Sequence, residues 1–305
     1  MKKYNTNHPQ VDGYFRLKLG DIEITALCDG FCTFHPSMCT DYTSLTEKEL
    51  DDLVSRDFTP RIADGRAEVA INAFLVNTGK QIILVDAGRG DVEGEIFLEK
   101  RGLLTKFLKD SGYAPEDVDA FLLTHAHVDH ICGIEENGKK VFPNATIYLS
   151  EQEKDYWLDA DISNLPEYAR FTAELARTAA KPYIDAKKIK TFTSGEEIFP
   201  NVKSVPIFGH TAGHTGYLVS SKGESLFIWG DLLHVKSILL VHPEVGIIFD
   251  SDFQAAAKTR AEMLEKLAKN SQLVAGAHLP FPGIGYIEKF GEIYRFHPVE
   301  YRIIR

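Results

Sequence analysis

Several apolar runs in this chain end directly in side chains that can bind a metal ion. The clearest is VDAFLLTHAHVDH, in which a buried-strand pattern runs into three histidines and an aspartate. KSVPIF, SLFIW and QLVAGA are followed in the same way further along the chain. The side chains that follow these runs are His125, His127, Asp129, His130, His210, His214, Asp231 and His278. Because the ends of neighbouring strands meet at one edge of a sheet, we expect these distant side chains to converge there.

The residue types favour a metal site over a solvated loop that holds histidines by chance. Imidazole nitrogens and carboxylates suit Zn²⁺, and they also suit Fe, Mn or Co. On a regular strand His130 would face away from His125 and His127, so a tight loop must turn these side chains to the same side. His210 and His214 both follow KSVPIF, and the residues alone do not choose between them.

The composition and charge of the 305 residues are those of an ordinary globular protein. The formal net charge is −10 and there is no run of Lys or Arg, which disfavours nucleic acid as a partner without excluding a local basic patch. The N-terminal stretch MKKYNTNHPQVDGYF lacks the apolar segment of a signal peptide. No window has the ~20 apolar residues that span a bilayer. We therefore expect a cytoplasmic protein without membrane contact.

The four cysteines are interpreted as free thiols. Cys28, Cys32, Cys39 and Cys132 form no C-x-x-C pair, and their spacings match no common zinc module. Cys132 lies close to the histidine-rich stretch, where we expect it to pack in the core.

The order of predicted elements favours an α/β protein in which two sheets are buried between helices. Two strands are expected to be joined through Gly20-Asp21. Hairpins are expected at residues 77–80 and near Gly291. An excursion over residues 34–66 contains one short helix. One helix is expected at 46–56, behind a capping-box pattern of Thr46 and Glu49, and another at 94–110. A third should begin after Ser150, which forms a second capping-box pattern with Glu153. A fourth should begin after Asp252 as its N-cap.

The motifs H-x-H-x-D-H, G-H-T-x-G-H, G-D and A-H-L together resemble those of the metallo-β-lactamase superfamily. The resemblance runs from about residue 70 to 285. It implies an αββα sandwich, which we expect to form one domain over residues 1–305. Apart from the resemblance, residues 1–66, which hold the N-terminal strands and the excursion over 34–66, are interpreted as a lid or a homodimer contact, and a plain surface insertion is the alternative for the excursion.

The resemblance also implies two metal ions, expected to be zinc, and assigns the ligands to them. His125, His127 and His210 would bind one ion, Asp129, His130 and His278 would bind the other, and Asp231 would bridge both. His214 would then lie beside the ligands. Asp86, in LVDAG, matches a family aspartate that orients a ligand histidine, and its alternative interpretation is a simple turn residue.

Two such cations imply hydrolysis. They can share one water, lower its pKa toward ~7 and polarise the electrophilic oxygen of a substrate. Asp129 could accept a proton while it binds metal. A non-catalytic binding protein is the alternative from another class, and it would require a degenerate ligand set.

The segments GYFRLKLGDIEITALCDG, GDLLHV and AGAHLPFPGIGYI resemble the branch that contains methyl parathion hydrolase. That resemblance implies a small-molecule substrate, namely an organophosphate triester or an aryl ester. The alternative is a lactone such as an acyl-homoserine lactone. Trp157 is expected either to line the substrate pocket, as a tryptophan does in that branch, or to be a core aromatic residue.

His234 lies three residues after the bridging aspartate, in GDLLH. In related lactonases a tyrosine at this offset contacts the substrate, so His234 is interpreted as a hydrogen-bond donor or general acid. We expect no metal ligation by His234, because the other ligands fill both ions. Its alternative role is to cap the turn after the strand.

Overall fold

The computed structural model describes residues 10–99 and 101–304 and contains two seven-stranded β-sheets. The strands are β1 (Tyr14–Leu19), β2 (Ile22–Phe34), β3 (Ala67–Asn77), β4 (Ile82–Val85), β5 (Ala120–Leu122), β6 (Glu135–Glu136), β7 (Lys139–Lys140), β8 (Thr146–Ser150), β9 (Ile189–Phe192), β10 (Glu197–Phe199), β11 (Val202–Pro206), β12 (Thr215–Ser221), β13 (Glu224–Ile228), β14 (Leu273–Ala275), β15 (Ile284–Phe290) and β16 (Ile293–Pro298). The helices are α1 (Ser37–Thr40), α2 (Glu47–Arg56), α3 (Leu104–Asp110), α4 (Val128–Ile131), α5 (Glu151–Lys154), α6 (Glu167–Asp185), α7 (Lys236–Leu239) and α8 (Phe253–Lys269).

Each sheet combines an antiparallel part with a parallel part. The first sheet has the order β1-β2-β3-β4-β5-β8-β9, with antiparallel pairs from β1 to β4 and parallel pairs from β4 to β9. The second has the order β10-β11-β12-β13-β14-β15-β16, in which only β13 and β14 pair in parallel. β6 and β7 form a separate two-stranded ribbon.

The two sheets pack face to face, and helices cover their outer faces. The inner core joins Ile24 and Phe74 of the first sheet to Tyr217 and Ile228 of the second. Side chains of α3 and α6 pack on the outer face of the first sheet, and those of α2 and α8 pack on the second. The αββα sandwich implied by the sequence is therefore confirmed. That residues 1–305 form one domain stays a prediction.

Local sequence signals place several elements where they were expected. The Thr46 side chain accepts from the backbone of Glu49, whose carboxylate accepts from the backbone of Thr46 in return, so α2 begins with a capping box. Asp252 caps α8 by accepting from the backbone of Ala255. β1 and β2 turn through Gly20, as expected, although β2 continues to Phe34.

The helix expected at residues 94–110 is mostly wrong, since among the described residues of this range only Leu104–Asp110 is helical. The preceding stretch is held along β2 instead, because the backbone of Leu98 donates to the Phe31 carbonyl at 3.0 Å. Gly102 also presses on Asp29, where a Cβ atom would lie 2.4 Å from Oδ1. The apolar residues of this stretch therefore pack on a strand rather than along a helix face.

The helix after Ser150 is present but short. α5 ends at Lys154 and continues as a wider π-type turn over Asp155–Asp159. No helix within residues 10–99 and 101–304 has both the length and the apolar character that crossing a membrane requires.

Candidate metal centre

The structure brings the seven candidate ligands of the sequence motifs to one place. They stand in the loops that follow four strands, one of the first sheet (β5) and three of the second (β11, β13 and β14), because those strands end at the same edge of the sandwich. Two groups have ligand atoms that all lie within 4.8 Å of one another. The first group is His125, His127, His210 and Asp231, and the second is Asp129, His130 and His278.

Asp231 lies between the two groups. Its Oδ1 is 3.1 Å from Nε2 of His130, and its Oδ2 is 3.1 Å from Nε2 of His278. The same Oδ2 is 3.4 Å from Nε2 of His210 and 3.6 Å from Nε2 of His125. A single carboxylate therefore faces ligand atoms of both groups, as a bridging ligand must.

Several buried polar atoms at this place need a partner that the protein does not supply. His125 Nε2, His130 Nε2 and Asp231 Oδ1 have no hydrogen bond to any described residue. Each buried polar group without a partner lowers the stability of the folded protein by about 1–3 kcal/mol, unless a bound ion or molecule satisfies it. His127 Nδ1 and His210 Nε2 face each other at 3.0 Å, near the ~3.3 Å expected of two ring nitrogens on one tetrahedral zinc. The residues therefore fit a pair of metal ions with nitrogen and oxygen ligands.

The electrostatics give the candidate ligands different protonation states. Burial lowers the pKa values of His125 and His127 well below the usual histidine range, so both rings are neutral near pH 7. Burial alone would raise the pKa of Asp231, but His130 and His278 hold it well below its usual range. Burial also acts to lower the pKa values of His130, His210 and His278, but neighbouring carboxylates, above all Asp231, raise them, that of His210 to about 9. These three rings would therefore release a proton when a cation binds, whereas His125, His127 and Asp231 need no such release.

Asp86 contacts one of the candidate ligand histidines. Its Oδ2 accepts from Nδ1 of His130 at 2.8 Å, and its Oδ1 accepts from the backbone of Thr124 at 2.9 Å. Its backbone has φ of 59°, a left-handed conformation that aspartate tolerates better than most residues. This contact fixes the ring of His130 with Nε2 toward Asp231.

Asp250 and the Ala70 carbonyl each orient the ring of another candidate ligand histidine. Neither of them was identified from the sequence. Asp250 Oδ1 accepts from Nδ1 of His210 at 2.9 Å, and the carbonyl oxygen of Ala70 accepts from Nδ1 of His278 at 2.8 Å. Asp250 lies in a loop forty positions after His210, so no local motif marks it. A main-chain carbonyl leaves no sequence signal at all.

Glu153 was read from the sequence as the partner of Ser150 in a capping box. Ser150 does cap α5, since its side chain accepts from the backbone of Glu153. The Glu153 carboxylate instead turns inward and accepts from Ala126, Thr211 and Gly213, which lie in the two loops that carry His127 and His210.

His214 supports the cluster from behind. Its Nε2 accepts from the backbone N–H of Asp231 at 3.2 Å, and it belongs to none of the ligand groups found in the described part of the chain. The loop after β13 approaches it closely, because a Cβ atom at Gly230 would lie 2.7 Å from that nitrogen.

His234 lies closer to the cluster than the sequence analysis expected. Its Nε2 is 3.1 Å from Oδ2 of Asp231, and its ring stacks on His278 at 5.3 Å between centroids. Asp231, His234 and His278 form a third group within ligand distance. Neither ring nitrogen of His234 has a hydrogen-bond partner among the described residues, and burial lowers its pKa to about 4. The neutral ring can therefore donate or accept one hydrogen bond.

A cavity of about 420 Å³ opens over this cluster. Asp129, Asp231 and His234 form its polar floor, and Glu93 and Glu95 add carboxylates to its lining. Its apolar wall is formed by aromatic and aliphatic side chains, including Phe34, Met38, Phe97, Tyr168, Phe171 and Phe249. Such a lining suits a small molecule with an apolar arm.

Trp157 is a core residue rather than part of this wall. It is 1% exposed, and its ring packs edge-on against His127 at 5.3 Å. The cavity wall, as far as the chain is described, does not include it. The wide turn at Asp155–Asp159 directs this side chain inward, and Tyr168 and Phe171 of α6 reach the cavity instead.

All four cysteines are free, as expected, and none belongs to a ligand group within the described ranges. Cys132 is buried in the core, also as expected.

Comparison with solved structures finds close similarity over nearly the whole chain. The structure of the hydrolase AbOPH, in the beta lactamase superfamily, is 36% identical in sequence and superposes with a TM-score of 0.89. That match covers 97% of this chain and 100% of the other. AidC, a dizinc quorum-quenching lactonase solved with the product N-hexanoyl-L-homoserine, is 29% identical with a TM-score of 0.85. The match covers 96% of this chain and 99% of the AidC chain.

Curated relatives match shorter parts of the chain. Exodeoxyribonuclease WalJ of Streptococcus pneumoniae is 30% identical over 96 residues, which are 30% of this chain and 32% of WalJ. An N-acyl homoserine lactonase of a Bacillus species is 26% identical over 170 residues, 51% of this chain and 60% of the lactonase. The chain thus spans less than two thirds of either relative.

The profile of the metallo-beta-lactamase superfamily matches residues 66–278. This range contains every candidate ligand and most of both sheets. The chain therefore belongs to the metallo-β-lactamase superfamily and is a metal-dependent hydrolase.

Proposed function

We propose that this hydrolase cleaves neutral ester bonds, in aryl esters and phosphotriesters, at two zinc ions held by the two ligand groups. The observation that carries the proposal is the lining of the 420 Å³ cavity, which has a largely aromatic and aliphatic wall and a polar floor at Asp129, Asp231 and His234. An apolar arm of the substrate gains from burial on that wall, by about 25 cal/mol per Å². The reacting group then lies against Asp129 and Asp231.

The charges around the cavity favour a neutral substrate. Glu93 and Glu95 line it together with Asp129, and each would repel an anion. The formal net charge of −10 acts in the same direction. A phosphodiester or a nucleic acid is therefore a poorer candidate than a triester or a carboxylic ester.

Bound metal ions would supply a water of lowered pKa and an electrophile for the substrate oxygen. Asp129 is 18% exposed in its side chain and faces the cavity, so it can accept a proton from that water. His234 also faces the cavity, where its unpartnered ring can donate a hydrogen bond to the carbonyl, phosphoryl or leaving-group oxygen. Asp231 and the histidines hold the ligand geometry.

A lactone is the second candidate, supported by the similarity to AidC over 96% of this chain. An N-acyl-homoserine lactone is neutral and carries an apolar acyl arm, so it meets the same demands of charge and shape. The single ring-opening step needs no room for a departing alcohol.

The experiment is a hydrolysis panel on purified protein with its metal content measured. We expect p-nitrophenyl acetate, a neutral p-nitrophenyl phosphotriester or N-hexanoyl-homoserine lactone to be cleaved faster than bis(p-nitrophenyl) phosphate. The Asp231→Ala variant gives the background without an intact centre. Faster cleavage of the phosphodiester than of every neutral substrate would contradict the proposal, and the order among the neutral substrates decides between ester and lactone.

A further inference from the structure

The Glu153 carboxylate is buried without a positively charged partner. The residue is 1% exposed, and no ion pair involves it within residues 10–99 and 101–304. Its Oε1 accepts from the backbone of Ala126 at 2.8 Å. Its Oε2 accepts from Thr211 Oγ1 at 2.7 Å and from the backbone of Gly213 at 2.9 Å. Burial of a carboxylate is costly, so these three donors must stabilise it.

The three donors belong to the two loops that carry neighbouring metal ligands. Ala126 stands between His125 and His127 in the loop after β5, which belongs to the first sheet. Thr211 directly follows His210 in the loop after β11, which belongs to the second sheet. Glu153 thus joins ligand loops from opposite sides of the sandwich.

The local packing leaves this junction little freedom. Ser150 Oγ donates to the Gly213 carbonyl at 2.8 Å while it caps α5. A Cβ atom at Gly213 would lie 2.3 Å from the Glu153 nitrogen and 2.4 Å from Ser150 Oγ. Only glycine permits this approach, so the start of α5 and the loop after His210 are in direct contact.

We infer that Glu153 is a positioning residue that sets the separation of His127 and His210, and with it the metal affinity of their group. The inference rests on the proposed metal centre. Those two histidines face each other at 3.0 Å across the junction that Glu153 holds. The second group is tied elsewhere, since His130 is held by Asp86 and His278 by the Ala70 carbonyl. Loss of Glu153 should therefore affect one metal more than the other.

Glu153→Gln tests this with little change of shape. A glutamine has one acceptor oxygen, so it cannot accept from Ala126 and from the Thr211–Gly213 side together. We expect one of the two bound metals to lose about 10- to 100-fold in affinity, as for other residues that orient metal ligands. The second metal should stay near the wild-type affinity. Chelator competition on the zinc-loaded protein measures both.

The matched control is Glu151→Gln, an exposed glutamate two positions earlier in the same helix. It should keep both affinities. Amide exchange of the metal-free proteins gives a readout independent of loading and activity. We expect either Ala126 or Gly213 to exchange faster in Glu153→Gln than in Glu151→Gln, because glutamine keeps an acceptor oxygen for only one of them.

Thr211→Val is a second test in case Glu153→Gln does not fold. It leaves the Glu153 carboxylate in place and removes one of its three donors. It should weaken the same metal by a smaller factor. Wild-type affinities in both variants, or an equal loss of both metals, would overturn the positioning role. Failure of the wild-type chain to bind any metal would instead refute the proposed function itself.

Discussion

Asp250→Asn should loosen one metal of the centre while the fold persists. Asp250 Oδ1 accepts from Nδ1 of His210 at 2.9 Å, and Oδ2 accepts from the backbone of Ile247 at 3.1 Å. The pKa of Asp250 lies below its usual range although burial acts to raise it, because His210 donates to the ionised carboxylate. Arg260, at 3.7 Å, adds a positive charge. Asparagine keeps the shape of this side chain and removes its charge.

The expected magnitude follows from these contacts. A hydrogen bond to a charged group is worth ~1.5–3 kcal/mol, and a neutral one is worth ~0.5–1.5 kcal/mol. If the amide oxygen faces His210, the amide nitrogen faces the N–H of Ile247, which then loses its acceptor. We therefore expect a loss of about 10- to 100-fold in the affinity of the metal bound by the His210 group, or ~1.4–2.7 kcal/mol. A fall in thermal stability should accompany it.

Chelator competition gives the two metal affinities, and Asp252→Asn provides the control. Asp252 undergoes the same substitution two positions later, where it caps α8 by accepting from Ala255. Asparagine is as good an N-cap as aspartate, so this variant should keep both metals and the wild-type stability. If Asp250→Asn binds both metals as tightly as the control does, His210 is not oriented through its Nδ1 contact.

Three further changes probe the centre and the cavity. Asp231→Ala should lower the metal content from two ions per chain to one or none and abolish nearly all hydrolysis, because one carboxylate faces both ligand groups; elemental analysis that still finds two ions would refute this. His234→Ala should keep both metals but slow ester hydrolysis by roughly tenfold to ten-thousandfold, most of all for poor leaving groups. The control His242→Ala, near the surface, should leave the rate of hydrolysis unchanged. Unchanged rates across a leaving-group series would leave His234 without a part in turnover. Phe171→Ala should raise KM more for long apolar esters than for acetate, and Phe290→Ala, at a similarly exposed position on β15, is its control. Equal effects of the two substitutions would contradict an apolar binding wall.

The candidate ligands could be found from the sequence because each of them closely follows one of four short strands. A short apolar run is recognisable locally, and the residue after it is fixed by chain connectivity. The position of His130, which a straight strand would turn outward, required one further assumption of a tight turn. The first turn of α4 provides it, with His127 as the residue that precedes the helix.

Local pattern was less reliable where tertiary contacts decide the conformation. The stretch before Leu104 carries apolar residues at helical spacing, yet its backbone follows β2 because Phe31 and Asp29 provide partners there. Helix α6 was missed from the sequence. Most of its buried positions are small, among them Ala173, Ala176 and Ala180.

The residues that orient the ligands were the hardest to find, for a reason that follows from their chemistry. A ligand needs an atom at the metal, but a residue that orients it needs only a carboxylate near the far ring nitrogen, from any part of the chain. Asp86 precedes His130 by 44 positions and Asp250 follows His210 by 40. Glu153 also fits a local capping-box pattern with Ser150, which suggests a different role for it. The ligand motif therefore defines which atoms can bind metal, whereas these three buried carboxylates hold His130, His210 and the loops of His127 and His210 in place. Chains that share the motif but lack the carboxylates should bind the same metals more weakly.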